Sequence, residues 1–319
     1  MNNNFFQVLR AGINTTYQDE GRYGLQHFGI APGGCMDKKS FFIANALVGN
    51  PKSTGVIEFA YQGPLLKLNS GKVKIAITGD VYFKIVYSDN KTIDGKCNRT
   101  YNLSTNDKID ILATKKSSYG YMAIEGGFNI KSFCNSVSTL VRGQIGPNEG
   151  KKIEVDDKIK IKKNTTIRKN FSCKVLNVSS NKIRVLRGTQ YKYFSNYSQN
   201  DFCQKSYKVT KLTDRMGMRL QGEFLKNIVS TNIRSEGITK GAIQVPADGQ
   251  PIILLTDHPT IGGYPKIANI ISADYDLLVQ KIPGDEIFFE FVELQEAEQL
   301  YKEQRDNISN IIKNIKELN

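Results

Sequence analysis

The chain has 319 residues, 39% of them hydrophobic and 24% charged, the composition of an ordinary globular protein with core enough for one large or two medium domains. The formal net charge of +13 does not mark a nucleic-acid binder, because the lysines are scattered and zinc-finger and RNP signatures are absent. Five widely spaced cysteines without a C-x-x-C speak against a disulfide framework or structural zinc site and fit reduced thiols better, and two histidines, His27 and His258, exclude a His-rich metal centre.

No run of eighteen apolar residues occurs, and the start M-N-N-N-F-F lacks a basic and a long apolar segment. No membrane partner is expected, and the chain reads as cytoplasmic.

Phe5 to Ala11 alternates and predicts a first strand. A polar, glycine-punctuated stretch follows. In it Gln18, Asp19 and Arg22 suit a hydrogen-bonded clamp, since guanidinium and carboxylate pair in a fork. Asp37 is an N-cap residue, and Lys38 to Val48 predicts a helix with Phe41, Ala44, Leu47 and Val48 on its apolar face, stopped by Gly49-Asn50-Pro51. From Val56 to Leu112 short strands alternate with Gly, Asn and Asp turns, and Tyr119 to Glu125 adds another. A hairpin is expected over Lys151 to Lys163.

The polar spacer Asn164 to Asn181 is the best domain boundary. Beyond it Lys182 to Gln190 reads as a strand and a turn, and Tyr191 to Lys205 as a helix or a lid. In Thr213 to Gly222, Asp214, Arg215 and Arg219 read equally as an anion-binding group or as a structural clamp at a turn. Ala242 to Val245 and Ile252 to Leu255 are buried-strand runs, separated by the turn residues Pro246 to Pro251. Asp257, His258, Thr260, Gly262, Gly263, Tyr264 and Lys266 then follow directly on a strand, where loops commonly carry binding groups. The tail from Leu294 to Asn319 predicts a helix with a regular apolar stripe. Three segments share an Asp-x-Ile strand start, N-D-K-I-D-I at Asn106, D-D-K-I-K-I at Asp156 and G-D-E-I-F-F at Gly284, which hints at two related β units.

The composite Gly241-Ala-Ile-Gln-Val-Pro246, Gly249-Gln-Pro251, Asp257, Thr260, Gly262-Gly-Tyr-Pro265, Ile267, Gln280 and Pro283-Gly-Asp285 resembles the signature of the allophanate hydrolase subunit 2 family, also described as KipA-like or biotin-dependent carboxyltransferase-domain proteins. Gln18-Asp19, Gly21-Arg22 and the stretch D-R-M-G-M-R-L-Q-G from Asp214 to Gly222 match it too, so the resemblance runs from about Val8 to about Phe291. It implies a mainly β fold of two cyclophilin-like β-barrel domains with short helices and a C-terminal helix. The expected division is an N-terminal domain over 1–170, a C-terminal domain over 171–293 and the helix over 294–319.

The resemblance further implies membership of a multi-subunit complex that opens the lactam of 5-oxoproline to glutamate with ATP. The chain has no G-x-x-x-x-G-K-[ST], no G-x-S-x-G and no biotin-acceptor M-K-M, so ATP is expected on the complex rather than on this chain, and the chain alone is expected to be inactive. The implied partners are two further subunits, one KipI-like and one LamB/YcsF-like. Two alternatives stay open: the carboxyltransferase component of a biotin-dependent urea or amide carboxylase, where biotin enters, and a non-catalytic regulator binding a KipI-like inhibitor. Under the favoured reading Lys266, Thr260, His258 and Asp257 are the catalytic candidates; His258 fits proton transfer and turn stabilisation equally. Gly262, Gly263, Tyr264, Gln244, Asp214, Arg215, Arg219, Gln18, Asp19 and Arg22 are the candidates for substrate binding. No metal ligands are assigned.

Overall fold

Apolar, β-branched runs in the first half of the chain give short strands, several of them buried on both faces, and the two sheets they form share one core. The computed structural model describes residues 4–162, 169–176 and 179–318. One sheet runs, in spatial order, Lys158–Lys160, Phe5–Arg10, Leu65–Leu68, Lys108–Thr114, Val81–Val86 and Thr92–Asp94. The other runs Asn14–Gln18, Val56–Ala60, Tyr119–Ile124, Lys72–Thr78, Arg99–Ser104, Asn170–Ser172 and Lys316–Leu318. Phe6, Val8, Leu66, Ile109 and Phe83 from the first sheet share one core with Ile57, Phe59, Ile75, Leu103 and Met122 from the second. Each such side chain contributes about 1.5–3 kcal/mol on burial.

The helix read after Asp37 forms over Lys38–Leu47, with the Asp37 carboxylate accepting the Ser40 N–H at 2.9 Å. Asn45, the polar residue on its buried side, donates to the Thr54 carbonyl at 2.8 Å and accepts from Asn50 at 3.1 Å. It is a satisfied core residue.

The second half closes into a barrel of Lys182–Arg187, Lys266–Ile270, Ala242–Gln244, Ile252–Leu254, Gly217–Gln221, Tyr207–Thr213 and Glu286–Phe291. Closure is completed by a parallel pair between Lys182–Arg187 and Glu286–Phe291, which joins the two strands that would otherwise be edges. Apart from the barrel, Glu236–Gly237 and Ile261–Gly262 form a two-residue antiparallel ladder. The segment 191–205 is helical, with a 3₁₀ turn at Tyr191–Tyr193 and a helix over Asn196–Gln204 capped by Ser195.

The Asp-x-Ile echo is one turn built three times. The carboxylates of Asp107, Asp157 and Asp285 accept the N–H three residues back, from Ser104, Glu154 and Ile282, at 2.7, 2.9 and 3.0 Å. The preceding Asn106, Asp156 and Gly284 all have positive φ, a conformation that Asn, Asp and Gly tolerate best. In each case the turn then clasps one strand residue. Leu68, Val8 and Val209 donate to the aspartate carbonyl and accept from the residue before it. The same device therefore starts strands in both halves of the chain.

The chain forms two compact units that interleave in sequence. One comprises Met1–Arg22, Gly33–Leu176 and Asn307–Asn319, the other Tyr23–Pro32 and Asn177–Asp306. Contiguous stretches over 1–170 and 171–293 therefore do not coincide with the units.

Two further expectations change. Lys158–Lys160 pairs with Phe5–Gln7 instead of folding back on 151–157, because the partner strand offers a long-range edge. Lys163 lies outside the described residues, as do residues 164–168 and 177–178 of the spacer after it. The tail helix covers Leu294–Lys313 and stops there, Asn314 donating its side chain to the Asn310 carbonyl at 2.8 Å; Lys316–Leu318 is a strand paired with Asn170–Ser172. Ala297 and Leu300 of that helix pack on Ile271 and Val292, while Leu294 and Tyr301 are exposed. No helix among the described residues is long and apolar enough to cross a membrane.

Candidate active site

Gln244 and Lys266 are register partners on neighbouring barrel strands, so their side chains leave the same face of the sheet. Both are buried. The adjoining two-residue ladder sets Glu236 opposite Gly262. Its geometry brings Glu236 onto Lys266: the Glu236 Oε1 accepts a hydrogen bond from the Lys266 ammonium and a second, at 2.9 Å, from Gln190 Nε2. Gln190 is held in place because its Oε1 accepts the Lys266 backbone N–H at 3.2 Å and the Thr189 hydroxyl at 2.8 Å. The orientation of the Gln190 amide is thereby fixed with its NH₂ toward the carboxylate.

Gln244 completes the cluster. It is 5% exposed, and its Nε2 has no hydrogen-bond partner among the described residues. A buried amide left unpaired costs about 1–3 kcal/mol. A Cβ on Gly262 would lie 2.6 Å from that nitrogen. A side chain at Gly262 would therefore have to push the Gln244 amide aside; the residue does not have a positive φ.

Two N–H donors thus meet on one carboxylate oxygen, and a third, Gln244 Nε2, lies beside Gly262, the ladder partner of Glu236. The Lys266 side chain is 9% exposed and the Glu236 side chain 43%. The hydrogen bond from Lys266, with that from Gln190, holds the Glu236 carboxyl below its usual range. The arrangement suits a carboxylate or a developing oxyanion, which charge-assisted donors favour.

The other candidates of the signature loop are placed differently. Arg215 grips Asp257 in a fork, with Nε to Oδ2 at 2.8 Å and an Nη2 to Oδ1 bond at 2.9 Å, and the Asp257 N–H donates to the Arg215 carbonyl at 2.8 Å. Both side chains are 6% exposed. The His258 ring is buried, with Nδ1 2.6 Å from the Pro259 carbonyl oxygen. A carbonyl only accepts, so Nδ1 carries the proton. Burial pushes the His258 pKa down against the opposing pull of that carbonyl, and the ring is neutral. Thr256 and Tyr275 share a buried hydroxyl contact at 3.0 Å beside this turn.

Thr260 is half-buried, and its carbonyl accepts the Ile238 N–H at 3.2 Å. Gly263 accepts the Ile233 N–H at 2.9 Å through its carbonyl, and Tyr264 is exposed.

Asp214 does not pair with Arg215. It caps its own turn, accepting the Met216 and Gly217 N–H groups at 2.7 and 3.1 Å. Arg219 forms an exposed pair with Asp248 at 3.2 Å.

Gln18, Asp19 and Arg22 belong to the other compact unit. There the Asp19 carboxylate accepts from Gly21 N–H, Ser136 Oγ, Val137 N–H and Ser138 Oγ at 2.6–2.8 Å. Arg22 donates to the Ser138 carbonyl, and Gln18 to the Thr139 carbonyl at 3.0 Å. All three side chains are thereby tied to residues 136–139, in place of the Arg–carboxylate fork expected from the sequence.

Sequence reasoning missed Glu236 and Gln190. A lysine inside the apolar run K-I-A-N-I demands a buried counter-charge, and that demand was the one available signal for Glu236. Gln190, a polar residue closing the strand-and-turn segment from Lys182, had no separate mark.

Comparison with known proteins agrees with this architecture. Residues 28–291 match the family model described as carboxyltransferase domain, subdomain A and B. The chain is 33% identical over 312 residues to the 5-oxoprolinase C subunit of Haemophilus influenzae, covering 98% of this chain and 99% of that one. It is 32% identical over 302 residues to the Escherichia coli protein of the same name, covering 91% and 92%. The crystal structure of K. lactis urea amidolyase superposes with a TM-score of 0.87 at 26% identity, covering 96% of this chain and 20% of that much longer one. With most of its length matched to that model and two full-length relatives above 30% identity, the chain belongs to the carboxyltransferase-domain family.

Proposed function

We propose that the chain is the C-type subunit of an ATP-dependent 5-oxoprolinase and takes part in the hydrolysis of 5-oxo-L-proline to L-glutamate. The observation that carries this reading is the 33% identity to a relative of that name along 99% of the relative's length. The partners are one KipI-like and one LamB/YcsF-like protein, and the complex works in the cytoplasm.

A lactam is resonance-stabilised and recloses easily, so opening it needs a coupled energy source. ATP supplies that drive when bound to the complex. The Lys266 cluster does not suit a triphosphate, since it holds one ammonium already balanced by Glu236. Nucleotide is therefore placed on the complex rather than on this cluster. Lys266, Gln190 and Gln244 act as donors that position the substrate and offset negative charge on it. Gly262 lets the small ring approach the barrel wall, and Thr260 adds a hydroxyl at the same loop. Asp257 holds Arg215 and shapes the turn that carries His258.

The test is co-expression of this chain with the two partners, followed by an ATP-dependent glutamate-release assay. The reading expects release from the assembled complex and none from this chain alone. Release by the single chain, or none from a correctly assembled complex, contradicts it.

A second reading is favoured by the TM-score of 0.87 against urea amidolyase, in which this chain would be the carboxyltransferase part of a biotin-dependent carboxylase. Biotin-dependent carboxylation of urea by an assembly containing the chain would support that reading instead.

A further inference from the structure

The donor cluster on the barrel wall is incomplete in a specific way. Lys266 and Gln190 both donate to the same Glu236 oxygen, Oε1, while the Gln244 Nε2 beside them is buried and donates to nothing among the described residues. A second oxygen held alongside the first would answer that idle donor. Glu236 itself stands on weak footing. Its ladder is two residues long, Glu236 and Gly237 are exposed, and Ile228 and Val229 upstream are exposed apolar residues. Segments with so few buried contacts open at low free energy.

Resting on the oxoprolinase reading above, we propose that Lys266, Gln190 and Gln244 form a seat for a small carboxylate, and that Glu236 fills this seat in the resting chain and is displaced when substrate enters. The exchange is carboxylate for carboxylate. The buried ammonium keeps a counter-charge throughout, so entry avoids the penalty of leaving Lys266 bare. The incoming group engages Lys266 and Gln190 with one oxygen and Gln244 with the other, contacts that the tethered Glu236 only partly makes. Gly262 lets the Gln244 amide lie against the ladder, since any Cβ there would press on it. The seat thus selects a compact monocarboxylate over its uncharged amide. Glu236 acts as a specificity-determining residue by setting a threshold that weak carboxylates do not pass.

The test is calorimetric titration of the full-length chain and its variants with three probes: 5-oxo-L-proline, acetate as a bare carboxylate, and 5-oxoprolinamide as the charge-free analogue. Glu236→Gln keeps the shape and a hydrogen bond while removing the competing charge. It is expected to bind 5-oxo-L-proline and acetate about tenfold tighter than wild type, because affinity is reduced by the fraction of molecules whose seat is already filled. Binding of 5-oxoprolinamide should not change, and Lys266→Met should bind neither carboxylate. A Glu236→Gln variant that binds carboxylates no tighter than wild type, including no measurable binding by either protein, overturns the proposal; so does equal tightening for the amide. The seat and the activity fail separately. Tightening in an assembly without oxoprolinase activity leaves the seat standing and removes the activity, whereas an active complex without tightening removes the seat alone.

Discussion

Arg215 with Asp257 and Lys266 with Glu236 are both salt bridges of the second unit, yet their surroundings assign them different work. In the first pair both side chains are 6% exposed, and two parallel hydrogen bonds join them. In the second the lysine is buried, but the glutamate is 43% exposed, carried on a two-residue ladder and flanked by an unpaired amide. A dry pair shut off from solvent gives a ligand no ready access. A pair with one exposed partner and, among the described residues, one idle donor does. Proximity in a motif therefore does not make residues part of one site; Asp257 and Lys266 lie in the same signature loop and serve separate ends.

The contrast is most exposed to failure at the dry pair. Arg215→Ala should destabilise the protein by about 3–5 kcal/mol, because it strands a buried carboxylate. Chemical unfolding measures it, and the double replacement Arg215→Met with Asp257→Leu should recover most of the loss. A small effect of Arg215→Ala would mean that the pair is not structural.

Gly262→Ala should act in the opposite manner. Its φ lies outside the left-handed region and the nearest atom is the tip of a flexible side chain, so stability should change by less than about 1 kcal/mol. Displacing Gln244 should nonetheless lower glutamate release by the assembled complex about 100-fold, the scale of a misplacement of about 1 Å. Turnover like that of wild type would detach Gln244 from the site.

How much of this was legible in the sequence follows from the range of the interactions. The Asp37 cap, the helix behind it and the three aspartate turns depend on residues within a few positions, and the sequence displayed them. Gln244 and Gly262 were legible through the composite motif, and Lys266 through its place among the polar residues that follow a buried strand. Glu236 was not, since it meets Lys266 across 30 residues through a ladder register that no local pattern specifies. The pairing of Lys158–Lys160 with the first strand was hidden for the same reason. The tail misled because an apolar stripe at helical spacing does not show where hydrogen bonds to a sheet edge overtake helix propagation.

Two smaller effects bear on the same contrast. His258 has its pKa depressed by burial below the ordinary 6.5. Its stabilising contribution is therefore complete above that value and is lost as pH falls through the folded pKa. The melting-temperature gap between wild type and His258→Asn should be largest at about pH 7.5 and narrow by about pH 5.5. A constant gap would show that the ring does not titrate with folding. Arg219→Ala removes an exposed pair with Asp248 and should cost less than about 1 kcal/mol, with turnover unchanged.

If the Lys266 cluster is the working site and the Arg215–Asp257 pair its scaffold, Lys266→Ala in the co-expressed complex of all three proteins must separate activity from folding. Glutamate release and the unfolding midpoint should be measured on the same preparation. The expected result is a fall in turnover of about 30- to 1000-fold, the loss of one charge-assisted contact worth about 2–4 kcal/mol, while the complex still assembles. Near-wild-type turnover in an assembled complex would contradict it.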